Sequence, residues 1–218
     1  MEKEKTISYY ADKFIDNFRN SPEGRYKSWE HCFKYFNKFD GQDYDKAALM
    51  LAFYLASWGM YRGSSFLLQY TYIIHVDAVK TIFNAKYNKL RSALILNNEE
   101  ISLLFSLIDE LKKHYFRYNK AVKTNIKDYN DVSDTLISKI LMGVIGNIPA
   151  YDRYVKAGLK KKDLQQRMSE NGYRQLLDFY YKNKEEIDFL CEKHTNYTPM
   201  KIIDMYFWEL GKEIYSKS

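Results

Sequence analysis

Two stretches of this chain set charged or hydroxyl-bearing side chains directly against apolar runs, where their presence needs a reason. In "SKILMGVIGNIPAYDRY", residues 138–154, an apolar helix end runs into a turn containing Gly143 and Gly146, and Pro149 leads to Asp152 at the opening of the next helix. A carboxylate there meets the unpaired N–H groups and the positive end of the helix dipole, which favour its ionised form. If the helix mouth is open, Asp152 is placed to stabilise a developing cation or polarise a water. If it is closed, Asp152 is simply a helix cap. Tyr151, Arg153 and Tyr154 beside it suit a groove that stacks bases, and Lys139 on the preceding helix is a candidate for holding substrate or phosphate.

The second stretch is "SWGMYRGSSFLL", residues 57–68. Arg62 follows a helix with no polar face, and burying its charge unpaired is costly, so it requires a carboxylate, carbonyls or a ligand anion. Ser64 and Ser65 at a helix start offer hydroxyls and free N–H groups to a phosphate. The alternative is an ordinary helix corner in which Arg62 and Asp152 form a structural pair. Basic residues gather elsewhere too: Lys112, Lys113, Arg117 and Lys120 in one segment, and Lys156, Lys160, Lys161 and Lys162 directly after Asp152. They either neutralise phosphates or form a solvated face.

The net charge of +6, from 34 basic and 28 acidic residues, leans mildly towards polyanionic partners. His31, His75, His114 and His194 show no metal-ligand spacing, and no Walker loop or nucleophile elbow is present, so neither a metal nor a cofactor is implied. The two cysteines, Cys32 and Cys191, lack the density of a disulfide scaffold and point to a reducing compartment. No apolar run approaches the roughly 20 residues that span a bilayer. The N-terminal residues lack the apolar core of a secretory signal, so a cytoplasmic setting and no membrane partner are expected.

An apolar helix, a glycine turn and Pro-x-x-Asp opening the next helix, here Pro149 to Asp152, resemble the core of the helix-hairpin-helix DNA glycosylase superfamily. That resemblance implies an all-α fold, DNA as partner, extrusion of a base and Asp152 as the catalytic acid in N-glycosidic cleavage. It also implies that the turn from Gly143 to Asn147 lies near the DNA backbone. Taken together, "LASWGMYRGSSFLL" and "SKILMGVIGNIPAYDRY" also resemble an uncharacterised bacterial all-α family, from which no activity carries over.

The elements that must position these residues are helical. With only 9 Gly and 3 Pro in 218 residues, a turn-rich β-sandwich is excluded, while the 21 tyrosines suit semi-polar interiors and groove walls. Ile7, Tyr10 and Phe14 share one stripe, and Trp29, Cys32, Phe33 and Phe36 another. The run from Ala47 to Trp58 is apolar nearly all round and is expected to be the central helix. Helices are also expected over Val76–Asn88, from an Asn97 or Asn98 cap through Leu111, and from Asp131 or Ser133 to Gly143 or Gly146, with residues 119–130 as loop. Asp163 is expected as a cap, before one long helix or two joined near Gly172 over residues 164–193. Thr198 then caps a last helix with Pro199 at its first position. The one candidate strand is "YTYIIHV". The reading is a single all-α domain of about nine or ten helices.

Overall fold

The computed structural model describes residues 5–19, 23–123, 125, 127–194 and 197–216, and no strand occurs among them. Among the described residues eleven α-helices follow one another: α1 (Ile7–Arg19), α2 (Lys27–Phe36), α3 (Tyr44–Ser57), α4 (Val76–Ile82), α5 (Asn88–Ser92), α6 (Asn98–Val122), α7 (Asp134–Val144), α8 (Arg153–Lys161), α9 (Glu170–Lys182), α10 (Lys184–Lys193) and α11 (Pro199–Ser216). No described helix is long and apolar enough to cross a membrane.

Helix starts follow local chemistry. Asn97 accepts from the Glu100 N–H at 3.0 Å while the Glu100 carboxylate accepts from the Asn97 N–H at 2.9 Å, a reciprocal cap for α6. Ser133 caps α7, and Thr198 caps α11 by accepting from the Lys201 N–H at 3.1 Å. Other boundaries differ from the sequence reading. The "YTYIIHV" segment is a 3₁₀ turn over Tyr72–His75 rather than a strand, because His75 and Ile74 turn inward together. Helix α6 continues to Val122, where a loop was expected from residue 119. Asp163 is no cap: it ends α8 with a φ of 55°, and Ser169 starts α9 instead. The break in residues 164–193 falls at Asn183, not Gly172, which sits inside the first turn of α9.

The largest difference concerns the centre. Helix α3 leaves Leu49 and Phe53 50% and 57% exposed, so it lies at the edge of the core despite its apolar sequence. The central element is α11, buried at every residue from Pro199 to Glu209, including Lys201, Asp204 and Glu209. Helix α8 packs on it backbone to backbone. A Cβ on Gly211 would overlap the Tyr154 carbonyl, and one on Gly158 would overlap the Phe207 carbonyl, so only glycine permits the approach. That contact sets the start of α8 beside the middle of α11.

The Gly143–Asn147 turn lies inside the protein. Every residue from Leu141 to Ala150 is buried. Trp29 donates its indole N–H to the Met142 carbonyl at 2.9 Å, and the Thr198 hydroxyl donates to the Gly146 carbonyl. A turn sealed by α2 and α11 has no face left for a DNA backbone, which corrects the expectation drawn from the hairpin resemblance.

Candidate functional site

Asp152 is the N-cap of α8. One oxygen, Oδ1, accepts from the N–H groups of Tyr154 and Val155 at 2.9 and 3.1 Å. The other, Oδ2, stands 3.5 Å from the Lys139 ammonium, the side chains being 15% and 6% exposed. Lys139 projects from α7, donates to the Trp58 carbonyl at 3.3 Å and places its nitrogen 5.3 Å from the Trp58 ring. Burial holds its amine below the usual lysine range, opposed first by the charge of Asp152 and then by that of Asp204.

A second ion pair lies against the first. Lys201 donates to Asp204 Oδ2 at 2.9 Å, and its ammonium sits 4.9 Å from the rings of both Phe14 and Trp29. Asp204 Oδ1 accepts from the Ala150 N–H at 2.9 Å, so α11 grips the strand of chain that delivers Asp152. Two lysines and two carboxylates thus share one partly closed site. Ionisable groups are rarely gathered in an interior by packing alone, since apolar residues there are as stable or more so.

Between these groups and Tyr54, Trp58 and Trp208 runs a cleft whose free space is ≈ 10 Å³. That is the room of about one water. The Tyr54 hydroxyl is pushed well above the ordinary tyrosine range, by burial first, to which the carboxylates of Asp204 and Asp152 add. It therefore remains a proton donor. Aromatic rings wall the mouth: Trp58 and Trp208 meet edge to face at 6.2 Å, and Tyr26 packs edge-on against both at 5.4 and 5.9 Å.

The sequence candidates divide. The structure brings Asp152 and Lys139 together and sets Arg153 and Tyr154 at the rim, where the Arg153 guanidinium donates to the Tyr154 hydroxyl at 2.7 Å. Tyr151 is fully buried; its N–H donates to Ser138 Oγ and its carbonyl accepts from Thr135, both at 2.8 Å, so it stacks nothing from solvent. Arg62 is exposed and makes no ion pair among the described residues, its guanidinium resting over Gly59. The partner of Asp152 is Lys139 and not Arg62, the pairing considered as the alternative, because the chain turns outward at Gly59 before Arg62 is reached. Ser64 is exposed, and Ser65 caps only the short 3₁₀ turn Phe66–Gln69, accepting from Leu67 N at 3.3 Å. Of the first basic segment, Lys112 is spent on Asp134 at 2.8 Å.

Lys201, Asp204 and Tyr54 were not singled out from sequence. The available signal was a lysine and an aspartate three residues apart inside the apolar run "MKIIDMYFW". Among the described residues, no group of three His, Cys, Asp or Glu side chains is placed to hold a metal ion. No family model, curated protein or solved structure matches this chain.

Proposed function

We propose that this is a nucleic-acid-associated helical protein whose cleft acts on a nucleotide in the manner of a base-excision enzyme, with Asp152 at the chemistry. The observation that carries the reading is a partly exposed carboxylate at a helix start, under a wall of Trp and Tyr rings and beside buried lysines. Stacking on the rings suits a base, and lysine and arginine suit the phosphates that come with it. As the C1′–N bond breaks, its electron pair leaves with the base and positive charge grows on the sugar facing Asp152. Water then adds at C1′ and gives its proton to that carboxylate. Entry of a base requires Trp58 to move off Lys139, because the free space there is only ≈ 10 Å³.

A second reading is favoured by the narrowness of the cleft and by the two cap hydrogen bonds: Asp152 and Lys139 as a purely structural pair in a non-catalytic binding protein. The test is release of free base, with formation of abasic sites, from a panel of oligonucleotides carrying unmodified and modified bases. The enzymatic reading expects release by the wild type and none by Asp152→Asn, even after stability is restored by Lys139→Met in the same chain. The structural reading expects no release by either, and only a lowered melting temperature for the single variant.

A further inference from the structure

Resting on that reading, we infer that the nucleotide is taken from an unpaired strand rather than from duplex DNA, along a strip of rings and cations that crosses the cleft mouth. From Trp58 and Trp208 the ring contacts continue to Tyr154 at 5.2 Å and on to Tyr215 at 5.5 Å. With Tyr26 at the other end, five aromatic side chains from the α1–α2 connection, the residue after α3, α8 and α11 form one unbroken series. Cations lie on it at three places. Arg25 stands over Tyr26 and Trp58 at 5.3 and 5.7 Å, Lys212 over Trp208 at 5.0 Å, and Arg153 over Tyr154 and Tyr215 at 4.6 and 5.9 Å.

Alternating rings and cations are what a flexible polyanion with exposed base faces can use. Bases slide onto the accessible rings of Tyr215, Tyr154, Trp58 and Tyr26 in place of the guanidinium groups, which then turn to the phosphates, while Trp208, itself buried, links the rings. A duplex offers no free base face to such a surface, since its bases are stacked on one another. The turn from Gly143 to Asn147, which the hairpin resemblance would set against a duplex backbone, is sealed in the core. Tyr215, 51% exposed in the last turn of α11, is the most open ring of the series. Arg153 is exposed beside it and joined to no carboxylate among the described residues.

Fluorescence anisotropy with one labelled DNA strand of about 12 nucleotides, single and then annealed to its complement, tests this at about 50 and 200 mM salt. The single strand is expected to bind at least about 10-fold more tightly than the duplex, and Tyr215→Ala and Arg153→Ala are each expected to weaken it about 10-fold while changing duplex binding little. Both sites are exposed, and an unchanged melting temperature verifies that the variants fold. Duplex binding as tight as single-strand binding overturns this inference and leaves the nucleic-acid reading standing. Single-strand binding indifferent to both substitutions overturns the strip as its site. Binding of neither form at about 50 mM salt overturns both this inference and the reading beneath it.

Discussion

The Lys139–Asp152 pair can be weighed by a double-mutant cycle. Asp152→Asn keeps an amide oxygen to accept from the Tyr154 and Val155 N–H groups, so the cap loses only a few tenths of a kcal/mol. What disappears is the negative charge 3.5 Å from an ammonium whose side chain is 6% exposed. Stranding a buried charge costs about 3–5 kcal/mol. Here the Trp58 carbonyl and the nearby Asp204 remain as partial compensation, so a loss of about 2 kcal/mol is expected. For a domain of this size that lowers the melting temperature by about 4–8 °C. Lys139→Met alone costs less, about 1 kcal/mol, because Asp152 keeps its two N–H donors and is the more exposed partner. The double variant buries an apolar side chain beside a neutral cap and is expected within about 1 kcal/mol of the wild type, a coupling of about 2 kcal/mol. Urea denaturation of the four proteins measures each value. Additivity of the two single effects to within about 0.5 kcal/mol would refute the argument that the charges are energetically joined.

Three further outcomes are expected. His75 is fully buried between the Tyr61 and Tyr115 hydroxyls at 2.7 and 2.6 Å, and burial, aided by His114, pushes its pKa down to about 3. Its folded value lies below its unfolded one, so the unfolded chain binds the extra proton, and stability is lost as pH falls from about 6.5 towards 3 at about 1.4 kcal/mol per unit. Between pH 7.5 and 5 the wild type should lose about 2 kcal/mol more than His75→Phe in urea denaturation; parallel curves would sink the claim. Gly211→Ala must part α8 from α11 and is expected to cost at least about 2 kcal/mol despite alanine's better helix propensity, so a raised melting temperature would contradict the contact. Asp204→Ala strands Lys201 and frees the Ala150 N–H, and should cost about 3–5 kcal/mol by the same assay, more than any change at Asp152. A loss under about 1 kcal/mol would mean that α11 does not hold the Asp152 segment.

The helical class, the caps at Asn97, Ser133 and Thr198, and the placing of Asp152 at a helix start were legible because each depends on a few neighbouring residues. What misled was the assumption that hydropathy ranks helices by depth. Helix α3 is nearly all apolar yet exposes Leu49 and Phe53, whereas α11 carries Lys201, Asp204 and Glu209 into the core. Charges become invisible to hydropathy as interior residues once they are paired inside. Lys201 finds Asp204 one turn along its own helix, and Glu209 finds Lys13 on α1 at 3.1 Å. Glu209 has a second partner one turn along its own helix, Lys212 at 3.7 Å, but the Lys13 contact joins residues far apart in sequence and no local pattern announces it.

The same reasoning explains why the site was half seen. Asp152 was recognisable because capping is a local matter, and Lys139 because it stands in the same quoted run. Arg62 drew attention as a charge next to apolar residues, but its exposure depends on the direction of the chain after Gly59, a property of backbone geometry. Asp204 was missed for the opposite reason: its acceptor role is owed to Ala150, which α8 and α11 bring within reach only because Gly158 and Gly211 let their backbones touch. Two glycines with no chemistry of their own therefore determine whether the carboxylate of Asp152 has a neighbour. A substitution at either glycine should accordingly disturb the cleft before it disturbs the rest of the core, so that hydrogen exchange at Ala150 and Asp152 rises ahead of exchange in α6.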